Sequence, residues 1–302
     1  MKKVLLIGGS GFLGSRLLKE LQQSPFEIFA VIHRKSLPEN KNLHLIKGGI
    51  SAITTDLINE LQPEIIFHCA RPVFPRFKKL GRFIAAWSAY RKNKQFLNNL
   101  KHSVCKPLLV FASGSLMYGN SANPHDENSE LHPISYARQY YRGEIPILNA
   151  LLKNEYPVKI IRFPWLLGDG SWFAWLYLKS IIQHNSIPVF GDGGNMMEIV
   201  DVEDAAKLLL SISTSSYEKG IFNIPSQKAI SQNEFLQEIV NLSGVKTLDF
   251  EQLFTGKLEK ETVEAACSNI QLTTSHKEIF NNFSYTPLEI SLKKIIQEKR
   301  PF

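Results

Sequence analysis

Residues 2–23 read KKVLLIGGSGFLGSRLLKELQQ, and this stretch decides the architecture. Val4–Ile7 is a short, unbroken apolar run, as expected of a parallel strand buried on both faces. Phe12, Leu13, Leu17, Leu18 and Leu21 then recur at helical spacing. Between the two lie Gly8, Gly11 and Gly14, a G-x-x-G-x-x-G spacing. A strand that turns sharply into a helix needs residues without a Cβ where backbone must approach backbone or a ligand. The first amides of the helix then face an anion. Gly8, Ser10, Gly11, Phe12, Leu13 and Gly14 are therefore expected to cradle the pyrophosphate of a dinucleotide. A tight turn with no ligand is the alternative, and the placement of the motif disfavours it.

Outward from this unit, strands are expected at Glu27–Ile32, Leu43–Ile46, Glu64–Cys69, Leu108–Ala112 and Val158–Arg162. Helical stretches fall near 54–61, 79–102 and 135–153, the last with a kink at Pro146. Strands alternating with helices predict an α/β fold with a Rossmann-type doubly wound parallel sheet over residues 1–162. Residues 163–302 are expected to form a smaller α/β substrate-binding region, with chain crossings between the two. In that second part Ser231 and Glu234 have the spacing of a capping box.

Composition fits a globular chain: 44% of residues are hydrophobic and 21% charged. The net charge of +7 is scattered rather than massed, which disfavours nucleic acid as a partner. No apolar run reaches the ~18 residues of a membrane span. The basic, apolar start ends in glycines rather than in a cleavage site, so a cytoplasmic location is expected. Cys69, Cys105 and Cys267 lack metal-ligand spacing and are expected to be reduced thiols, with no metal bound.

The second strand ends His33-Arg34-Lys35, with no carboxylate to accept ribose hydroxyls. Arg34 and Lys35 could instead neutralise a 2′-phosphate, which favours NADP(H) over NAD(H). Ordinary exposed cations are the alternative.

Further segments complete a pattern. They are IIFHCA ending at Ala70, FASGSLMYG at 111–119, SYARQYYRGE at 135–144, RFPWLLGDG at 162–170, PVFGDGGN at 188–195 and IVDVEDAA at 199–206. With GGSGFLG, these resemble, in order and over about two-thirds of the chain, the extended short-chain dehydrogenase/reductases of the NAD-dependent epimerase/dehydratase type. The resemblance implies a nicotinamide cofactor touched by Ala70, Tyr136 and Pro164 as well as by the glycine loop. Arg71, in the loop after the fourth strand, is expected to meet cofactor phosphate or an acidic substrate. It also implies a Tyr-x-x-x-Lys pair, the tyrosine exchanging the substrate proton, and a Ser or Thr that orients the substrate oxygen.

Two of these positions depart. Matching the tyrosine to Tyr136 puts Glu144 at the family's glutamate, and the lysine position becomes Tyr140. The hydroxyl position becomes Gly114, flanked by Ser113 and Ser115. Tyr136 with Ser113 or Ser115 remains the candidate catalytic set. Without a neighbouring cation, Tyr136 suits proton donation during reduction better than proton abstraction. Positions that hold Asn and Arg in many nucleotide-sugar enzymes of the family are Trp165 and Met197 here. That exchange leads to the expectation of a small apolar or aromatic carbonyl substrate and not a nucleotide sugar, contacted by Trp165, Met197, Tyr140 and Trp172. Packing into a core is the alternative for any residue of this aromatic stripe.

Asp201, Glu203 and Asp204 fit helix capping better than acid–base work. His68 is expected to be a satisfied core residue. A non-redox NADP-binding sensor or scaffold, or a repurposed dehydrating or cyclising enzyme, are the alternative functions. The oligomeric state stays open, and the family resemblance implies the helices at 79–102 and 135–153 as the pairing surface of a homodimer.

Overall fold

The computed structural model describes residues 1–32, 41–71, 78–253 and 258–299. The chain forms two compact units, each assembled from separate segments. The first comprises 1–113, 138–162 and 206–222; the second comprises 114–137, 163–205 and 223–302.

In the first unit, strand β1 (Lys2–Ile7) leads through the glycine turn to helix α1 (Phe12–Gln22). There follow β2 (Phe26–Ile32), β3 (Leu43–Lys47), α2 (Thr55–Leu61), β4 (Ile65–His68) and α3 (Lys78–His102). Then come β5 (Leu108–Gly114), α4 (Arg138–Leu152) and β6 (Val158–Phe163). A seven-stranded sheet has the order β3-β2-β1-β4-β5-β6, with the strand Gly220–Asn223 at the far edge. Val4 pairs in parallel with both Ile28 and Ile65, and Ile65 with Leu108. Val4, Leu5, Leu6, Ile28, Ile66 and Phe67 are sealed from solvent, which is why their sequence runs are continuous rather than alternating.

One detail differs from the sequence pattern. Residues 135–137 form a turn, closed by Ala137 N–H donating to Ile134 O at 2.8 Å, so α4 starts at Arg138 rather than at Ser135. The helix continues through Pro146, which supplies no N–H to the carbonyl four residues back.

Against α4, the Cβ that a larger residue would place at Gly143 lies 2.8 Å from the Ala89 Cβ, so Gly143 lets α3 and α4 pack closely. A buried lysine interrupts β6. Lys159 Nζ donates to the carbonyls of Ile212 and Ser213 at 2.7 and 3.3 Å, completing a helix C-terminus whose carbonyls have no partner within the helix.

The second unit has short strands and an aromatic core. β7 (Trp165–Leu167), α5 (Lys179–His184), β8 (Ser186–Val189), β9 (Met196–Met197) and β10 (Ile199–Asp201) are followed by α6 (Val202–Thr214). α6 runs on into the first unit's last segment. After the sheet-edge strand β11 (Gly220–Asn223) come β12 (Ile230–Ser231) and α7 (Gln232–Ser243). β7 pairs with β10 in parallel and β9 with β12 antiparallel. Ser231 and Glu234 form the capping box that their spacing predicts. Phe173, Tyr177, Phe190 and Phe235 are buried together, their rings 5.6–6.2 Å apart in mostly edge-to-face contacts.

Candidate active site

The glycine turn is built for backbone approach. Gly8 adopts φ +91°, and a Cβ there would stand 2.7 Å from Ala70 N, at the end of β4. A Cβ on Gly14 would lie 2.1 Å from the Gly8 carbonyl oxygen, so no side chain fits. Gly11 N–H donates to Gly8 O at 2.9 Å and caps α1 without any side-chain bond. The first amides of α1 thus stand at a turn in which no Cβ fits at Gly8 or Gly14. A dinucleotide pyrophosphate fits this donor set. Arg34 and Lys35 lie outside the described residues.

At the end of β5, in the same unit, Ser113 joins a buried ion pair. Arg162 Nη2 donates to Glu144 Oε1 at 2.6 Å and Nη1 to Oε2 at 3.1 Å, with both side chains essentially inaccessible. Ser113 Oγ donates to Glu144 Oε2 at 2.5 Å and accepts from Arg162 Nη1 at 2.7 Å. Its hydroxyl is therefore spent on tying β5, α4 and β6 together. Nearby, His68 Nε2 lies 3.0 Å from Asn93 Oδ1, while Asn93 Nδ2 donates to Gly143 O at 2.7 Å. The Asn93 amide nitrogen is committed to that carbonyl, so the imidazole carries its proton on Nε2. Burial outweighs these bonds and pushes the His68 pKa down to about 4, which keeps the ring neutral. Arg71, the residue after Ala70, stacks its guanidinium 3.3 Å from the centroid of the Tyr140 ring.

In the second unit, Gly114 has φ −140° and ψ 159°, ordinary extended backbone. A Cβ there would meet nothing closer than Phe163 O at 3.7 Å. The helical turn 115–117 begins at Ser115, which is buried. Tyr136 is half-buried in the turn that precedes α4. The sequence pattern puts it on the helix itself. Met197 is buried in the aromatic core, while Trp165 and Trp172 are half-buried and meet edge-on at 5.0 Å. Pro164 links β6 to β7. Asp201 Oδ1 accepts from Glu203 N at 2.8 Å at the start of α6, and Asp204 Oδ2 accepts from Thr286 N at 2.6 Å, so both carboxylates are occupied by backbone or capping bonds.

The sequence pattern does not single out Glu198. It is buried, its carboxylate accepts from Ser226 N at 2.7 Å and Leu272 N at 2.8 Å, and desolvation outweighs those bonds and raises its pKa to about 7. Its place among apolar neighbours in MMEIV is the only signal the sequence offers.

A sequence profile of the NAD dependent epimerase/dehydratase family matches residues 4–224. The chain belongs to that family. Among its relatives is the uncharacterized UDP-glucose epimerase YtcB of Bacillus subtilis (strain 168), 28% identical over 284 residues, 84% of this chain and 87% of the relative. The dTDP-4-dehydro-6-deoxyglucose reductase of Escherichia coli is 23% identical, covering 78% of this chain and 80% of its own. A solved UDP-N-acetylglucosamine 4-epimerase from Methanobrevibacter ruminantium M1, in complex with UDP-N-acetylmuramic acid, superposes with a TM-score of 0.76 at 18% identity. That match spans 98% of this chain and 97% of the other, and it shows the shared fold.

These relatives are named for nucleotide sugars, and that overturns the expectation that a nucleotide sugar is excluded as the substrate. The exclusion rested on Trp165 and Met197 alone. Met197 is core, and a nucleotide diphosphate can be held by backbone amides or by other cations, so two exchanges do not remove the class. Among the described residues no helix is long and apolar enough to cross a membrane.

Proposed function

We propose that this member of the NAD-dependent epimerase/dehydratase family reduces a carbonyl carbon of a nucleotide-linked sugar, with Tyr136 as the proton donor. The tight turn formed by Gly8, Gly11 and Gly14, in which a Cβ on Gly8 or Gly14 would collide with backbone, is the observation that carries the reading. Gly8, Gly11 and Gly14 would hold the dinucleotide, whose reduced nicotinamide would supply a hydride for the carbonyl carbon. Tyr136 Oη gives its proton to the carbonyl oxygen, and the product is an alcohol.

NADP(H) is the preferred cofactor in this reading, supported by Arg34, Lys35 and the missing carboxylate at the end of β2. Of the two candidate serines, Ser115 orients the substrate oxygen and Ser113 holds the framework, since the Ser113 hydroxyl is already shared between Glu144 and Arg162.

The test is NADPH oxidation with a panel of 4-keto nucleotide sugars. Turnover with at least one, reduced by ~10²–10⁴ in Tyr136→Phe, is expected. Undiminished turnover in that variant would remove Tyr136 from the mechanism. Gly114 and Tyr140 also favour a second reading, a dinucleotide-binding sensor or scaffold. Tight NADPH binding with no turnover across the panel would select it.

A further inference from the structure

The glycine cradle offers amide N–H groups but no positive side chain of its own, and a dinucleotide pyrophosphate brings negative charge. Arg16, the cation closest in sequence, is turned back on its own helix. Its Nη1 donates to Phe12 O at 3.1 Å and Ser15 Oγ at 3.2 Å, and its guanidinium lies 5.1 Å from the centroid of the Phe12 ring.

Arg71 is placed differently. It is one peptide beyond Ala70, whose backbone is so close to Gly8 that a Cβ at Gly8 would collide with it. Cys69 N–H donates to Ile7 O at 2.9 Å, which holds the end of β4 beside the glycine turn. The Arg71 side chain is exposed, and its guanidinium carbon is 3.3 Å from the centroid of the Tyr140 ring. Tyr140 is in the first turn of α4, one turn before Glu144, which the pair with Arg162 fixes in place. Stacking on a ring face sets the plane of a guanidinium. A cation that starts one peptide beyond the residue packed on Gly8 is thereby oriented by a second, independently anchored element.

We infer that Arg71, oriented by Tyr140, is the residue that neutralises the dinucleotide pyrophosphate in this chain. The inference rests on the proposed reading of the glycine turn as a dinucleotide site, and it adds a residue and a partner that the motif does not contain. Tyr140 then has a use of its own: at a position where the family resemblance implies a lysine, it is an aromatic platform for a cation from another loop.

Isothermal titration of the purified chain with NADP⁺ and with ADP separates the possibilities. Arg71→Ala is expected to weaken both ligands by about tenfold to a hundredfold, the range for a lost charge-assisted hydrogen bond. Arg71→Lys should fall between the two, keeping the charge without the planar fork. Tyr140→Phe keeps the ring and should bind as the wild type does, whereas Tyr140→Ala should lose part of the affinity. Combining Tyr140→Ala with Arg71→Ala should cost little more than Arg71→Ala alone. Far-UV circular dichroism confirms that each variant is folded.

Unchanged affinity for both ligands in Arg71→Ala overturns the assignment while leaving the dinucleotide site intact. A loss confined to NADP⁺ overturns it too, because ADP carries the same pyrophosphate. If the wild-type chain binds neither ligand, the reading of the glycine turn fails and this inference fails with it.

Discussion

Glu144 and Arg162 meet as a two-point ion pair with neither side chain accessible to solvent. Two charges taken out of water repay their desolvation only while both are present. Glu144→Ala should therefore destabilise the chain by ~3–5 kcal/mol, the cost of a buried unpaired guanidinium. Ser113→Ala should cost less, about 1–3 kcal/mol, because it removes one bridging hydroxyl and leaves the pair. Urea denaturation measures both. Equal losses would mean that the serine, not the charge pair, holds β5 to its neighbours.

Gly114 offers the opposite experiment, a gain rather than a loss. Its backbone suits any residue and a Cβ has room. Gly114→Ser should fold with stability equal to the wild type or up to about 1 kcal/mol higher, through the lower entropy of the unfolded chain. If the missing hydroxyl limits catalysis, NADPH-dependent turnover should rise in the same variant. A clear fall in melting temperature would show that the space at Gly114 is needed by something else.

Glu198 should leave a mark on the pH dependence of stability. Its pKa is raised from 4.5 to about 7 by burial. Between those values the folded chain holds a proton that the unfolded chain has released. This contribution is complete below the unfolded value and is lost as pH rises through the folded one. Melting temperature should therefore decline from about pH 5 to about pH 8, and Glu198→Gln should flatten that decline. A wild-type curve that rises over this window, with the same rise in the variant, would mean that Glu198 stays ionised on its two amide donors.

Much of this was legible in the sequence, for reasons that differ by residue. The glycine loop and the first strands are local patterns, a period and a spacing, and local patterns survive folding. The place of Glu144 eight residues after Tyr136 was legible as well, but its meaning was not. Its partners Ser113 and Arg162 are 31 and 18 residues away, and no periodicity reports such contacts. The start of α4 was misplaced because Tyr136 and Ala137 fit a helical pattern, yet an Ile134–Ala137 turn bond competes for the same backbone. In the aromatic stripe, spacing alone could not separate Phe173 and Tyr177, which are core, from Trp175, which is 42% exposed. Trp165 and Met197 are only two side chains of a binding surface, too few to report the substrate class.

One face of α3 presents Phe83, Ile84 and Trp87, which are 54%, 41% and 41% exposed. The Arg142 guanidinium on α4 lies 5.6 Å from the Phe83 ring centroid and 4.8 Å from that of Trp87. Apolar side chains grouped in this way mark contact surfaces. A second copy of this chain is the proposed occupant, through α3 and α4. Sedimentation equilibrium should give a dimer that Trp87→Glu converts to a monomer. A monomeric wild type at micromolar concentration would dismiss the pairing.

The segmented make-up of the first unit bears on how the chain is born. Its sheet takes β11 from residues 220–223, and Lys159 takes its carbonyl partners from residues 212 and 213. A nascent chain that has emerged only as far as β6 has the glycine turn but lacks an edge strand and every carbonyl to which Lys159 donates. The ribosome must deliver nearly three-quarters of the 302 residues before the first unit can close. The first unit is therefore not a detachable cassette, and its folding is set by a piece of chain made long after its glycine motif.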